Sequence, residues 1–292
     1  MDGIIVINKE KGCTSHDVVY KVKKLFNTKV GHTGTLDPNA TGVLPILVGK
    51  GTLLSKYLIN HNKKYIATIK LGQRTDTADV EGNIIEEKEV DVAKLNSENI
   101  LGIFNTMIGK QMQKPPMYSA IKVNGKKLYE YARSGKSVVV PEREIELYDL
   151  KLLNIDVENM LLQFEVHCSK GTYIRTVCEQ IASKLGTVGY MLDLKRTMVG
   201  DFKIENSITI SELSENINNT DFLKKYFISI EDLFENKESV ELSEKELTKF
   251  LNGLVFDMDC CDGVVKVYNL KNEFIGIGTI EKGYLKRDIV VK

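Results

Sequence analysis

No stretch of this sequence approaches the roughly 20 consecutive apolar residues that a membrane-crossing helix needs. The first residues, MDGIIVINKEKG, carry too short an apolar run and the wrong flanks for a secretory signal, so the protein is expected in the cytoplasm. C-x-x-C is absent. The five cysteines are odd in number, with Cys13, Cys168 and Cys178 scattered and Cys260 and Cys261 adjacent, which speaks against a disulfide framework. His16, His32, His61 and His167 show no ligand spacing among themselves or with the cysteines. A structural zinc and zinc-dependent base chemistry are both disfavoured. Neither an internal repeat nor a low-complexity segment is present.

An excess of either charge is also missing: 40 Lys and Arg balance 40 Asp and Glu. The charges are nevertheless segregated. Residues 1–80 hold 12 basic and 6 acidic side chains, whereas residues 205–239 hold 3 basic and 8 acidic. Such a distribution suits a one-sided polyanion-binding surface and is equally compatible with ordinary scatter. With 42% apolar and 27% charged residues, the chain of 292 residues has the composition of a globular protein. Its length suffices for one large domain and a smaller one.

The apolar pattern predicts a strand at residues 3–8 and a helix at 16–26, with Thr14 or Ser15 as N-cap and Val18, Val19, Val22, Leu25 and Phe26 as its apolar stripe. A glycine-rich loop, residues 30–42, leads into the buried-looking run 43–48. Further strands are expected at 65–71, 145–155 and 160–168, and helices at 99–108, 128–133 and 172–184. Strands and helices without a regular βαβ rhythm indicate an α+β fold with a mixed sheet. Residues 205–238 read as an acidic connector with short helices. Beyond them LSEKELTKFLNG predicts a helix ending at Gly253, and GVVKVYNL and FIGIGTI predict strands joined by a turn at Lys271-Asn272. This last part forms a small β-rich module expected to pack on the rest.

The loop VGHTGTLDPNATG carries the chemistry most worth weighing. Its glycines and Asp37-Pro38 allow a tight exposed excursion that presents a carboxylate to a ligand. No Gly-Lys-Ser/Thr closes it, so it is not a Walker phosphate loop. The absence of a second acidic neighbour separates it from a glycosidase pair. Taken alone, Asp-Pro among glycines is a turn.

GHTGTLDPNATGVLPI resembles the catalytic motif of the tRNA pseudouridine-55 synthase (TruB) family. KKYIATIKLGQRTDTADVEGNII, QKPPMYSAIKVNGKKLYEYAR and HCSKGTYIRT resemble further blocks of that family, in the same order, and the tail is similar to its C-terminal PUA-like module. The resemblance thus covers nearly the whole chain. It implies a catalytic domain at 1–238, with an insert at 125–142 that closes over RNA, and a PUA-like RNA-binding module at 239–292. The implied activity is cofactor-independent isomerisation of uridine 55 in the T-loop of tRNA, with tRNA as partner and no obligate protein partner. A guide-dependent branch of the superfamily acts inside RNA–protein particles; this compact chain without a basic tail suggests the stand-alone type.

By motif position, the resemblance makes Asp37 the nucleophile that attacks the target uridine, so that uracil leaves C1′ and rejoins through C5. An ionised carboxylate is chemically fit for this, and attack at C6 and at C1′ both remain open. Arg175 lies in the first turn of its helix, where the helix dipole disfavours a cation by about 0.3–1 kcal/mol. Some other group should therefore hold it there, and the resemblance implies an ion pair with Asp37. Tyr65 is implied to stack on the base and to assist removal of the C5 proton, with Leu194 on the other side of the base. His32 is implied to fill the space the flipped nucleotide leaves. Arg74, Asp76 and Asp79 belong to a loop that approaches the site in the family. Lys126, Lys127, Arg133 and Lys136 are implied phosphate contacts, although a lysine-rich loop also reads as a solvated surface.

Two departures stand out. Residues 8–12 read Asn-Lys-Glu-Lys-Gly where the family carries Lys-Pro, which should loosen the turn and place the Glu10 charge near an RNA-facing region. Lys195-Arg196 replaces paired arginines, which should weaken an RNA contact. The balanced charge of the C-terminal module, 8 basic and 9 acidic residues over 240–292, leaves its RNA contact open. Two rival classes are a non-catalytic RNA-binding or RNA-folding protein, which requires no such carboxylate, and an aspartate-nucleophile hydrolase, whose general base and metal are missing.

Overall fold

The computed structural model describes residues 1–59, 61–119, 121–135 and 138–291. Its centre is a 10-stranded mixed sheet. The main path runs Phe227–Ser229, Gly3–Lys9, Thr41–Val48, Gly189–Val199, Lys63–Leu71, Leu161–Cys168, Arg143–Asp156, Gly109–Gln113. Neighbours along it are antiparallel except at one seam, where Lys195 and Arg196 pair in parallel with Thr41 and Gly42. There a side chain on Gly42 would collide with the Arg196 carbonyl, so the close approach requires glycine.

Period-two alternation distributes the apolar side chains between two layers. Ile5 and Ile7 face a core closed by the helices Ser15–Phe26, Ser97–Asn105 and Ile174–Lys184, through residues such as Val18, Val22, Phe104 and Ile181. Ile4 and Val6 face the opposite side, where Leu54, Leu58, Ile230 and Phe234 meet Ile277 and Ile289 from the C-terminal module. The first helix begins where its sequence predicts. Thr14 accepts from the Asp17 amide at 3.1 Å and its own amide donates to the Asp17 carboxylate at 2.8 Å, a reciprocal cap.

The C-terminal module has its own five-stranded sheet, beginning at Ser239–Leu242, and a core around Leu242, Phe250, Val267 and Leu285. Its helix, Glu244–Leu251, is capped by Ser243 and followed by Gly253 at φ +75°. Asn272, at φ +57°, makes the expected turn.

Several strands depart from the sequence pattern, among them Gly109–Gln113 and Phe227–Ser229 at the ends of the main path, and two bear on the site. Val30–His32 is a short strand paired with Thr41–Val48, where a loop is expected. The central strand Gly189–Val199 has no counterpart among the predicted elements. Leu192 is an extra residue there: Met191 pairs with Ile69 and Asp193 with Thr68, so the alternation breaks.

Candidate active site

The Asp37 loop is built from backbone held by distant side chains. Ser15, buried at the start of the first helix, donates to the Leu36 carbonyl at 3.1 Å and accepts from the Leu36 amide at 2.8 Å. The Gly12 amide donates to the Pro38 carbonyl at 3.0 Å, and the Ala40 amide closes a turn onto the Asp37 carbonyl at 3.1 Å. Two buried cations complete the clasp. Lys9 donates to the carbonyls of Glu10, Cys13 and Pro38 at 2.9, 2.7 and 3.0 Å. Arg196 donates to the carbonyls of Val43 and Gly34 at 2.7 and 3.0 Å and reaches that of Thr35 at 3.5 Å. Burial lowers the pKa of both, and the carbonyls hold the charges that water would otherwise solvate.

The first of the two departures is thereby corrected: the turn after Lys9 is not loosened but tied to three carbonyls without a proline. At the second, Arg196 is buried as a strut under the loop and Lys195 is exposed.

Asp37 emerges from this support with its side chain 43% exposed, 3.3 Å from an Arg175 terminal nitrogen. Arg175 itself is buried. Its other terminal nitrogen meets Asp79 at 3.2 Å, and it donates to the carbonyls of Thr77 and Tyr118 at 3.1 and 2.8 Å. Two carboxylates and two carbonyls thus hold a cation in the first turn of Ile174–Lys184 against the helix dipole. Glu179, one turn further, is pushed up by burial, while Arg74 and Arg175 oppose the shift. The helix start is fixed by Gln113, whose amide accepts from the Tyr173 amide at 2.8 Å and donates to its carbonyl at 3.2 Å.

Asp37 opens into a cleft of about 520 Å³ lined also by Tyr65, Leu194, Met191, Arg196, Arg175 and Tyr173. Tyr65 pairs across the sheet with Arg196, and Ala67 with Leu194. The Leu192 bulge sets Leu194 and Met191, three residues apart, on this same face. Burial pushes the Tyr65 hydroxyl up to about 12, with Arg196 acting the other way. It is a neutral phenol at neutral pH. Lys63, Arg143 and Lys170 make the lining basic.

The remaining predicted residues lie elsewhere. His32 accepts from the Gly34 amide at 3.2 Å through Nδ1, and burial lowers its pKa. It flanks the loop and is absent from the lining of the cleft. Of Arg74, Asp76 and Asp79 in the QRTDTAD segment, Asp79 alone reaches Arg175. Its loop is pinned by the Met191 amide, which donates to the Ala78 carbonyl at 3.0 Å. Arg74 pairs with Glu86 at 2.6 Å, and Asp76 accepts from the Asn83 amide at 3.0 Å; both serve their hairpin. Lys126 and Lys127 form a two-residue strand against Lys122-Val123, with Lys127 lying 5.3 Å from the Tyr129 ring centre. The Arg133 side chain and Lys136 fall outside the described residues. Lys9, Lys63, Gln113 and Tyr173 were not singled out from sequence as site residues, and Ser15 was read only as a candidate helix cap. For Lys63 a signal existed, since it stands two residues before Tyr65 on one strand.

A half-exposed carboxylate paired with a buried guanidinium, beside an aromatic ring and an apolar wall in a basic-lined cleft, suits a ligand that carries both a planar base and phosphates. The sequence matches the profile of the TruB family pseudouridylate synthase N-terminal domain over residues 22–174. Profiles of the tRNA pseudouridylate synthase B C-terminal domain and of the C-terminal domain of pseudouridine synthase II TruB match residues 175–235 and 239–288. The tRNA pseudouridine synthase B of Francisella philomiragia is 42% identical over 289 residues, covering 98% of this chain and 93% of the relative. That of Francisella tularensis subsp. tularensis is 41% identical with the same coverage. Among solved structures, a chain of a Cbf5-Nop10-Gar1 complex superposes with a TM-score of 0.70 at 25% identity, covering 99% of this chain and 84% of that one. This chain belongs to the TruB family of pseudouridine synthases.

Proposed function

We propose that the protein isomerises uridine 55 in the T-loop of tRNA to pseudouridine, without a cofactor and in the cytoplasm. The observation that carries this reading is the Asp37 carboxylate, held by Arg175 at 3.3 Å at the mouth of the cleft and backed by Tyr65 and Leu194. The target uridine flips into the cleft, with its base between Tyr65 and Leu194. Stacking there, worth about 1–3 kcal/mol per base, offsets part of the few kcal/mol that flipping costs. Asp37 attacks the flipped nucleotide. The N1–C1′ bond breaks, the C5–C1′ bond forms, C5 loses its proton and N1 ends protonated, with no net oxidation. The Arg175 guanidinium orients the carboxylate, and Asp79 holds Arg175 from its far side.

His32, beside the Asp37 loop, fills the gap in the RNA loop. Arg74, Asp76, Lys126, Lys127 and Arg133 lie in segments that approach the RNA backbone. Residues 1–238 carry the chemistry and 239–292 extend the RNA surface. No obligate protein partner is required: identity to relatives named tRNA pseudouridine synthase B, at 42%, exceeds the 25% shared with the Cbf5 complex chain.

The test is tritium release from tRNA transcripts carrying 5-tritiated uridine, with the product position mapped. Wild type is expected to release one equivalent, at a single T-loop uridine, and Asp37→Asn to lose roughly 10³-fold or more. Folded wild type that binds tRNA yet releases no tritium would leave an RNA-binding protein instead.

A further inference from the structure

Lys63 and Tyr65 stand two apart on the strand Lys63–Leu71 and project from the same face into the cleft. Tyr65 has a place in the chemistry above, whereas Lys63 has none. Its ammonium donates to the His61 carbonyl at 2.8 Å, which engages one of three N–H groups. Among the described residues no carboxylate lies within ion-pair distance of it. Its charged surroundings are cationic, with Arg196 and Lys170 both opposing its charge, and burial with those neighbours lowers its pKa to about 8.

Thr33 supplies an independent observation. Its hydroxyl is buried without a hydrogen-bond partner among the described residues, and the residue lines the same cleft. The two residues border the same cleft, and a methyl group on Gly34, the residue after Thr33, would lie 3.9 Å from Lys63 Cε. A buried hydroxyl without a partner is rare in a native protein and calls for an explanation. A cation without a counter-charge beside it asks for an anion.

We propose that Lys63 and Thr33 form a seat for one of the two phosphates flanking the target ribose, each donating a hydrogen bond to a non-bridging oxygen. This rests on the assignment of the cleft to a flipped uridine. A nucleotide whose base lies against Tyr65 and whose ribose meets Asp37 carries a phosphate on each side of that ribose. The seat fixes the sugar relative to the carboxylate. Lys63 and Thr33 are thereby positioning residues, and the attraction is to the backbone, independent of sequence.

T-arm stem-loops with a single neutral methylphosphonate, placed 5′ or 3′ to the target uridine, test this at fixed salt. Affinity is measured by direct binding to the wild type, Asp37→Asn, Lys63→Met, Lys63→Arg and Thr33→Val proteins, with tritium-release kinetics in parallel. One of the two linkages is expected to weaken binding to wild type by about 10–100-fold, the range for a hydrogen bond to a charged group. The same linkage should cost Lys63→Met little more, because the partner is already gone. Lys63→Arg should recover part of the loss, and Thr33→Val should show a smaller, equally coupled effect. Equal affinity of wild type for all three RNAs overturns the proposal without relying on any variant's folding. Independent, multiplying losses in Lys63→Met overturn it too. Should the unmodified RNA bind yet release no tritium, the isomerase assignment fails, and the binding series still decides whether Lys63 meets a phosphate.

Discussion

Lys63 keeps a positive charge where folding opposes it. Its pKa falls from 10.5 to about 8 through burial and the adjacent Arg196. Between those two values the unfolded chain binds more protons than the folded one, so this group makes stability rise with pH across that window and opposes folding fully below pH 8. Lys63→Met is therefore expected to melt at a higher temperature than wild type at pH 7. The difference should shrink as pH rises from 8 toward 10.5, as thermal melts over that range would show. A lower melting temperature at pH 7 would contradict it. Stability gained by removing a residue from a functional cleft is the usual sign that the residue is kept for function.

Among elements, the first helix does more than cover the sheet. Its Ser15 hydroxyl pairs with both backbone groups of Leu36, the residue before Asp37. Ser15→Ala leaves a buried amide and carbonyl without partners, at a cost of about 1–3 kcal/mol each. Denaturant unfolding should register that loss. Turnover should fall more than tRNA binding, because the loop that aims Asp37 loses its anchor; unchanged turnover at reduced stability would separate the two roles. The helix itself was legible, since its period is local; its cap was narrowed to Thr14 or Ser15, and the structure gives that role to Thr14. Asp37, Arg175 and Tyr65 were legible through the motif blocks around them. Lys9, Ser15 and Arg196 were not, because they act on backbone carbonyls and amides contributed by distant segments, and a carbonyl leaves no mark in sequence. The strand Gly189–Val199 escaped for a related reason. Its bulge breaks the alternation that identifies a strand, and that same break brings Met191 and Leu194 to one face.

For the molecule as a whole, the C-terminal module shares a core with the catalytic sheet. Ile277 and Ile289 are buried with Ile4, Val6, Val43 and Leu47. Lys56 and Tyr57, just ahead of the cleft residue Ile59, bond to Asp288 of the module, and Lys50 donates to the Val291 carbonyl at 2.7 Å. Such an interface predicts one cooperative unit. Ile289→Ala should cost about 2–5 kcal/mol, and the protection of the Ile4 and Val6 amides against hydrogen exchange should fall with it. Two separated unfolding transitions, with those amides unaffected, would show the module folding on its own.

The support of Asp37 is assembled from both ends of the catalytic region, and this matters during synthesis. Asp37 leaves the ribosome early, whereas Arg175 and Arg196 follow by about 140 and 160 residues, roughly 10–30 s later at ~5–20 residues per second. Throughout that interval the nascent chain carries a carboxylate with neither the guanidinium that orients it nor the strut under its loop. The loop can take its final form only once the late central strand is made and joins the seam at Gly42.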